Sequence, residues 1–281
     1  IQTEIVSIEQ FESESVIFAG DGQVYRLHSE DDIERAQRAI DLGLEVTIEL
    51  DATYNATEIL EQQSNVLSIS LTSTAATAST INESGADPDQ VTNLSQALYS
   101  SYISDFSDDY ELSNLMQTMR RDTRSKSQCY NRAHVWSYEL HRRYQNGRRI
   151  QTGKMWIFFT RRYIREYKYK WWFHIAPFLT VNGEPKVIDR SYSNGPQNER
   201  TWTNMFMGNN AACRQIVRYS DYKNNQQSEY CYTIKTSVYY WQPWQIEGLE
   251  KGGEVRNQWN SWEVKKAYKN AIGWRARVPS L

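Results

Sequence analysis

The sequence of 281 residues has few cysteines and no long apolar stretch. Without a run of about 18 apolar residues, no transmembrane helix is expected. The 3 cysteines form no CxxC pair, and no spaced cluster of cysteine and histidine indicates a zinc site. We therefore expect no membrane partner, no metal and no other cofactor. Aromatic residues are abundant, with 10 Trp and 19 Tyr, and they supply enough apolar surface for a folded core.

The few cysteines also bear on the compartment. Cys213 and Cys231 lie in one Tyr/Asn-rich segment and could form a disulfide in an oxidising environment. Cys129 is then left over, and a leftover thiol in a secreted protein is either intermolecular or reactive. The sequence begins at Ile1 without a signal-peptide apolar region, so a leader is expected to have been removed or to lie outside it. We expect a secreted or periplasmic protein.

The charges are distributed unevenly along the chain. Residues 1–80 contain 15 acidic and 3 basic residues, whereas residues 81–281 contain 19 acidic and 29 basic ones, so the overall charge of −2 conceals two parts of opposite sign. Opposite charge favours docking of one part on the other. The alternative is two independent domains with different isoelectric points.

Three regions are predicted from patterning. Residues 1–80 are predicted to form a small acidic α+β domain, residues 81–125 a linker with a helical lead-in, and residues 126–281 the main domain. The elements expected in the first two regions are a hairpin around Asp21–Gly22, a helix from N-cap Ser29 to Gly43, an alternating strand at 44–50, a short helix at 56–63, a strand with Leu67, Ile69 and Leu71 on one face, a flexible connector at 72–90 and helix at 91–121.

The main domain is predicted to start with a helix at Cys129 and to continue with strands. The apolar face of that helix is expected to comprise Ala133, Trp136, Leu140 and Tyr144, with Asn146–Gly147 ending it. The strands expected next are at 154–164, 167–181 and 184–192, with a hairpin turn at Asn182–Gly183 and a final helix at 255–272.

Cys129 is a candidate nucleophile because of its position at the start of a helix. Unpaired backbone N–H groups and the helix macrodipole favour a thiolate in the first turn. Arg124, Lys126 and Arg132 act in the same direction. The alternative is a small buried structural cysteine.

A nucleophilic cysteine needs a base, and the chain offers four histidines. His28 belongs to the acidic region, while His134 and His141 follow Cys129 on its own helix and point elsewhere. His174 lies in the aromatic strand "KWWFHIAPF", where a polar side chain is unexpected and indicates a specific role. The alternative is a core histidine with satisfied hydrogen bonds.

The hairpin at Asn182–Gly183 offers His174 a partner. In a two-residue turn Val181 opposes Glu184, so His174 opposes Ser191 and Asp189 lies diagonally across on the same face, about 7–8 Å away at Cα. Asp189 could then orient His174, as the third member of a catalytic triad must. A register slip of one residue would separate them. The chain order Cys, His, Asp is that of papain-like and transglutaminase-like enzymes.

The segments "CYNRAH" at 129–134, "WFHIAPFL" at 172–179, "VIDRSY" at 187–192 and "GPQNERTWTN" at 195–204 resemble those of the bacterial protein-glutaminases, or protein-glutamine deamidases. The resemblance implies Cys129 as nucleophile, His174 as base and acid, and Asp189 as orienter. It also implies an α+β fold with a papain/transglutaminase-like core, in which the Cys helix packs on an antiparallel sheet bearing His and Asp. A small α+β pro-domain would precede this core.

Residues 24–61 resemble the family's pro-region, so an inactive proenzyme is expected. We expect an amidohydrolase that converts accessible glutamines of proteins or peptides to glutamate and ammonia, activated by a protease that cuts within 72–125. The segment "LDATYNATEIL" is the expected inhibitory contact. A transglutaminase or a cysteine peptidase would use the same triad. A less favoured, non-enzymatic alternative is nucleic-acid binding, with bases stacked on the aromatics of "RRYIREYKYKWW".

Overall fold

The structure is a computed structural model that describes residues 1–11, 14–51, 63–75, 102–124, 128–208, 210–253 and 255–281. The helices in these ranges are α1 (Glu30–Leu42), α2 (Asp109–Gln117), α3 (Cys129–His141), α4 (Arg161–Tyr167), α5 (Glu199–Met207), α6 (Tyr219–Asn224), α7 (Pro243–Glu250) and α8 (Ser261–Ala271). None of the helices in the described ranges is long and apolar enough to cross a lipid bilayer.

The strands are interspersed with these helices along the chain. They are β1 (Gln2–Phe11), β2 (Glu14–Ala19), β3 (Val24–Leu27), β4 (Leu44–Leu50), β5 (Ser64–Ala75), β6 (Asp105–Phe106), β7 (Tyr144–Gln145), β8 (Arg148–Arg149), β9 (Gly153–Phe159), β10 (Phe173–Val181), β11 (Glu184–Val187), β12 (Gln197–Asn198), β13 (Arg214–Gln215) and β14 (Cys231–Ser237). The fold is therefore mixed α and β.

The chain divides into two compact units. The first comprises Ile1–Thr80, Phe159–Phe173 and Gln226–Tyr230, and the second comprises Ile81–Phe158, His174–Asn225 and Cys231–Leu281. Two short segments of the first unit thus come from the sequence range predicted to form the main domain.

The first unit contains a closed barrel with strand order β1-β2-β3-β5-β4. Its predicted hairpin is present, with Phe18 paired to Val24, and the Asp21 carboxylate accepts hydrogen bonds from Gln23 N (3.0 Å) and Tyr25 Oη (2.6 Å) in the turn. The predicted α1 is also present: Ser29 Oγ caps Asp32 N at 3.0 Å, and Gly43 ends the helix at φ 59°. Local signals thus identified the pieces, whereas closure into a barrel was not predicted.

One predicted strand face in the barrel is wrong. Ile69 is fully buried, but Leu67 is 64% exposed, and Val66 is buried in its place. The pairing of β4 with β5 shifts register between Glu49 and Leu50, which are opposite Ser68 and Val66. This irregularity leaves Leu67 without a direct partner and reverses the side-chain alternation at that point.

The predicted lead-in is only partly helical. Within residues 102–124 the helix is confined to α2, which begins after Asp108, whose carboxylate accepts a hydrogen bond from Glu111 N at 2.8 Å. Residues 52–62 and 76–101 lie outside the described residues. They include all but Gln63 of the short helix predicted at 56–63, residues 76–90 of the connector predicted at 72–90, and the first part of the helix predicted at 91–121. Residues 72–75, predicted to belong to the flexible connector, are instead the end of β5.

The second unit contains most of a sheet with strand order β12-β11-β10-β9-β14-β13. All residues of β9 and β10 are buried, as expected for central strands covered on both faces. The sheet is mixed rather than purely antiparallel, because β6 runs parallel to β10 and β13 runs parallel to β14. The prediction of an antiparallel sheet is therefore wrong at these two pairings, although β10 and β11 pair antiparallel.

The predicted strand at 154–164 is too long. It ends at Phe159, because Thr160 is the N-cap of α4 and its side chain accepts a hydrogen bond from Tyr163 N. The strands predicted at 167–181 and 184–192 are likewise shorter, at Phe173–Val181 and Glu184–Val187. These strands were predicted too long because aromatic and β-branched residues, which favour strands, continue beyond the strand ends.

Cys213 and Cys231 form a disulfide at the β13–β14 edge of the sheet, with their Cα atoms 4.7 Å apart. The bridge closes a loop with a sequence separation of 18, which should stabilise the fold by about 3 kcal/mol on a loop-entropy model.

We expect the double variant Cys213→Ser/Cys231→Ser to lose about that much free energy of unfolding, measured by urea denaturation. A reducing agent should lower the unfolding midpoint of the wild type and leave the midpoint of the double variant unchanged. Equal midpoints for wild type and variant without reductant would contradict this expectation.

Candidate active site

Helix α3 brings Cys129 to the sheet. Trp136 and Leu140 of this helix share a buried core with Leu179 of β10 and Ile188, which follows β11. The helix is buried around most of its circumference, so its hydrophobic face is not the single stripe that the sequence suggested. Cys129 is its first residue, where the backbone N–H has no acceptor within the helix.

The predicted end of α3 is wrong. The helix ends at His141, and Tyr144, predicted to lie on its apolar face, is 63% exposed in β7. Asn146 and Gly147, at φ 50° and 76°, form the two-residue turn between β7 and β8. The same dipeptide chemistry suits a helix stop and a hairpin turn, since both require positive φ.

Cys129 and His174 are hydrogen-bonded through their side chains. The thiol is 1% exposed and takes no part in a disulfide. His174 is the second residue of β10 and is 3% exposed. The structure thus brings together two groups that are 45 positions apart in the sequence.

His174 is also hydrogen-bonded to Asp189, with 2.7 Å between Nε2 and Oδ2. The hairpin has the predicted register, because Val181 is opposite Glu184 and Phe178 is opposite Val187. The ladder ends at Val187, however, so the expected direct pair of His174 with Ser191 is not part of the sheet. Asp189 lies just beyond the strand.

Asp189 organises a tight turn at this strand end. Its backbone carbonyl accepts hydrogen bonds from Tyr192 N (3.2 Å) and Ser193 N (3.0 Å). Its Oδ1 accepts from Ser191 N at 3.2 Å, and its Oδ2 accepts from Trp202 Nε1 at 3.0 Å in addition to His174. Both carboxylate oxygens are therefore engaged, which fixes the orientation of the group.

The charges of the site favour a protonated imidazole at neutral pH. Burial alone would lower the pKa of His174, but the charge and hydrogen bond of Asp189, together with Cys129, raise that pKa to about 9. Burial alone would raise the pKa of Asp189, yet His174 and the Trp202 N–H hold that pKa below its usual range. A protonated His174 can donate from Nε2 to Asp189 and from Nδ1 to the thiol.

Three aromatic rings surround the imidazole. The ring centroids of Phe206, Tyr192 and Trp202 lie 4.7, 5.0 and 5.8 Å from that of His174. Trp202 and Phe206 are buried, whereas Tyr192 is 45% exposed. Although the side chain is partly exposed, desolvation of its hydroxyl raises the pKa of Tyr192 to about 12, so this hydroxyl stays neutral. These rings limit the rotation of His174 and exclude water from it.

The other histidines have different surroundings. His134 is buried with Nδ1 2.8 Å from Lys154 Nζ, and burial followed by the charge of Lys154 lowers its pKa well below 6.5. His141 packs against Trp259, and His28 is hydrogen-bonded to Asn65. Among the described residues, no three or more His, Cys, Asp or Glu side chains are grouped so that they could hold a metal ion.

Trp202 was not recognised in the sequence as part of the site, and Ser191 and Arg132 were considered only as the residue opposite His174 and as a positive charge near Cys129. Trp202 lies on α5, within the quoted segment at 195–204, and its N–H binds Asp189. Ser191 Oγ accepts a hydrogen bond from Arg132 Nε at 3.0 Å. The position of Arg132 three residues after Cys129, on the same side of the helix, was the available signal for its proximity.

Residues 105–206 match the family model described as glutaminase. This stretch is therefore similar to the glutaminase family. It contains α3, β10 and the Asp189 turn, and its match confirms the resemblance to the protein-glutaminases and the expectation of an enzyme of the amidohydrolase class. No curated protein matches the chain significantly.

Several solved structures are similar at low identity. A crystal structure of pro-protein-glutaminase is 15% identical, with 86% of this chain and 83% of that chain covered and a TM-score of 0.45. The NMR structure of protein-glutaminase from Chryseobacterium proteolyticum is 16% identical, covering 59% and 87% of the two chains, with a TM-score of 0.38. A crystal structure of protein-glutaminase is 17% identical, covering 60% and 86%, with a TM-score of 0.33.

Proposed function

We propose that this protein is a protein-glutamine deamidase, which hydrolyses the side-chain amide of glutamine in a polypeptide to glutamate and ammonia. Cys129 is the nucleophile, His174 the acid and base, and Asp189 the group that orients His174. The observation that carries the proposal is the buried hydrogen-bond series from the Cys129 thiol through His174 to Asp189, within the stretch similar to the glutaminase family.

In the first half of the reaction the Cys129 thiolate attacks the carboxamide carbon and forms a C–S bond. The resulting oxyanion is stabilised by the backbone N–H of Cys129 at the start of α3, and one such donor typically lowers the barrier by about 3–4 kcal/mol. His174 then transfers its proton to the amide nitrogen. The C–N bond breaks, ammonia leaves, and a thioester remains on Cys129.

In the second half water replaces ammonia. Neutral His174 accepts a proton from the water as its oxygen attacks the thioester carbon. Collapse of the second tetrahedral intermediate breaks the C–S bond, releases glutamate and restores the thiolate beside protonated His174. The proton given to the amide nitrogen and the proton taken from water both pass through His174, and the new carboxylic acid loses its own proton to solvent. This is why the fixed position of the Asp189 carboxylate matters.

Two alternative enzymes share the first half of this reaction. A transglutaminase would pass the acyl group to a lysine amine instead of water, and a peptidase would attack a backbone amide. Casein as substrate distinguishes all three: the deamidase releases ammonia without new N-termini and without cross-links. New N-termini or lysine cross-links as the main products would exclude the proposal.

The nucleic-acid alternative is weakened because two of the five aromatic rings of its proposed stacking surface are buried within the first unit. Tyr163 and Trp172 of "RRYIREYKYKWW" are each 3% exposed. Tyr163 packs against Phe159, Tyr167, Tyr169 and Tyr230, and Trp172 packs against Phe18. Rings engaged in this way are not available to stack on bases.

We also propose that residues 1–80 are an inhibitory pro-domain. Within the first unit the barrel holds the segment just before His174 by main-chain hydrogen bonds from Val24 N to Lys170 O (2.7 Å) and from Trp172 N to Gly22 O (2.9 Å). The Trp172 indole N–H also donates to Ala19 O at 2.7 Å. The barrel thus binds residues that lie only two to four positions before His174 in the sequence, and this supports an inhibitory role.

Ion pairs strengthen the same attachment. Arg161 binds Glu9, and Lys168 Nζ lies 3.0 Å from Glu14 Oε2. The hydrogen bond with Lys168, which outweighs a small cost of burial, lowers the pKa of Glu14. Both pairs lie inside the first unit, and they support the attraction between acidic and basic parts of the chain that the charge distribution suggested.

Cleavage in the predicted segment 72–125 is expected to raise the rate of ammonia release by about 100-fold. A tethered domain has an effective concentration of about 1 mM, so contacts with a dissociation constant of about 10 µM leave only about 1% of the enzyme uninhibited. The test is ammonia release from a glutamine-containing polypeptide before and after limited proteolysis, with the protease then inhibited.

The variant Cys129→Ala, cut in the same way, controls for ammonia from the protease preparation. The double variant Glu9→Gln/Glu14→Gln should raise the rate a few-fold without cleavage, because each exposed ion pair typically contributes below about 1 kcal/mol. Equal rates for intact and cut wild type would refute inhibition by residues 1–80 and leave the deamidase proposal standing.

A further inference from the structure

We propose that Arg132 is a positioning residue, which fastens the turn that carries Asp189 to the helix that carries Cys129. The inference rests on the proposed deamidase function, because it assigns Arg132 a task in that reaction. Arg132 does not touch the reacting atoms in this scheme. It acts through Ser191 and the Asp189 turn.

The hydrogen bonds form a closed circuit. Arg132 Nε donates to Ser191 Oγ at 3.0 Å, and Ser191 N donates to Asp189 Oδ1 at 3.2 Å. Asp189 Oδ2 accepts from His174, which is hydrogen-bonded to Cys129. Cys129 and Arg132 lie on neighbouring turns of α3, so the helix closes the circuit.

The turn needs such an anchor because its bonds to the sheet stop just before Asp189. The β10–β11 ladder ends at Val187, and Ile188 N adds one further main-chain hydrogen bond, to Pro177 O of β10 at 2.9 Å. Arg132 is only 4% exposed, and burial of so large a charged group is costly unless it makes specific contacts. A guanidinium suits the task since it is always charged and presents its N–H groups in a rigid plane.

Loss of the Arg132 charge and loss of its anchoring contact predict opposite changes in the pKa of His174. The groups facing the imidazole are Asp189, the Cys129 thiol and Tyr192, and the Arg132 charge acts on Asp189 and Tyr192. Loss of a nearby positive charge alone would favour protonation of His174 and raise its pKa. Loss of the anchor would loosen the Asp189 carboxylate, weaken its hold on the imidazolium and lower that pKa.

The experiment titrates the imidazole of His174 by NMR in the full chain, for the wild type and for Arg132→Met and Ser191→Ala. The methionine removes the charge and the donor but keeps the apolar stem, and the alanine removes the acceptor but keeps the Arg132 charge. We expect both variants to lower the pKa of His174 by about one unit or more, as a displaced carboxylate would. A pKa unchanged or raised in Ser191→Ala overturns the proposal, even where Arg132→Met fails to fold.

Kinetics on the cut enzyme provide a second readout. Both variants should lower kcat for ammonia release by about 10–100-fold with KM nearly unchanged, because the defect lies in orientation rather than binding. Arg190→Met is the matched control: Arg190 neighbours Ser191, but its guanidinium binds Gln117. A loss in Arg190→Met as large as in Arg132→Met would overturn the specific role. Absence of ammonia release by the wild type would refute the deamidase and leave the titration as the test of the anchor.

Discussion

Replacement of Cys129 by alanine is expected to reduce ammonia release from polypeptide-bound glutamine by at least about 10⁵-fold, down to the background rate. The thiol is the only group of the protein that bonds to the substrate carbon in the proposed mechanism, and removal of a catalytic nucleophile typically costs about 10⁶ in kcat. Serine at the same position should be almost as inactive, because its hydroxyl is far less acidic than a thiol.

The measurement is single-turnover and steady-state ammonia release by the cut protein, with unfolding curves to verify the fold. Ser137→Ala is the matched control. Ser137 lies on the same helix, is fully buried, and its Oγ has no hydrogen-bond partner among the described residues. It should keep full activity and stability. Activity above about 1% in Cys129→Ala, with the fold intact, would remove the nucleophile from the proposal.

Much of the local structure around the site could be predicted, because it depends on short-range chemistry. Asn182 and Gly183 adopt φ 51° and 80°, the turn conformation expected for this dipeptide in a two-residue hairpin. That turn fixed the register of β10 against β11, and the register correctly placed Asp189 near His174. A single dipeptide thus carried information about His174, eight positions before it, and Asp189, six positions after it.

Short-range signals gave wrong predictions where one residue type suits two local structures. Asn146–Gly147 makes an identical turn, yet it was interpreted as the end of α3. Thr160 follows an apolar run and was included in a strand, although a threonine there can also cap a helix, as it does for α4. Only tertiary packing decides between such uses, and a single sequence does not reveal it.

Contacts between segments far apart in the sequence were the features that the sequence predicted least well. The Trp202 N–H to Asp189 bond and the Arg132 to Ser191 bond join residues on different elements. No periodicity or spacing links Trp202 to a carboxylate 13 positions earlier, because α5 could pack in many ways. Barrel closure by the first five strands was missed for the same reason, since it depends on a parallel pairing of β3 with β5.

Replacement of Asp189 by asparagine should be the second most damaging change, lowering kcat by about 10³–10⁴-fold. The carboxylate accepts three hydrogen bonds, from Ser191 N on Oδ1 and from His174 and Trp202 on Oδ2. An amide has only one oxygen. If that oxygen faces His174 and Trp202, the NH₂ group opposes the Ser191 N–H. If it faces Ser191, the NH₂ group opposes the Trp202 N–H and forces His174 into the wrong tautomer.

The loss should depend on pH in a defined way. The folded-state pKa of His174, about 9, lies above the unfolded value of 6.5, so its interactions stabilise the wild type fully below pH 6.5. That stabilisation is lost as pH rises through 9. In Asp189→Asn burial is no longer offset by a charge, and the pKa of His174 should fall below 6.5. The stability difference between wild type and variant should therefore be large at pH 6 and small at pH 10.

Glu184→Gln tests whether the removal of any carboxylate from this hairpin has the same effect. Glu184 is an exposed residue of β11, so its variant should match the wild type in rate and in the pH dependence of unfolding. The two readouts for Asp189→Asn also separate its roles. A slow variant whose stability follows the wild-type pH curve would mean that Asp189 does not hold the imidazolium, and the triad would then reduce to Cys129 and His174.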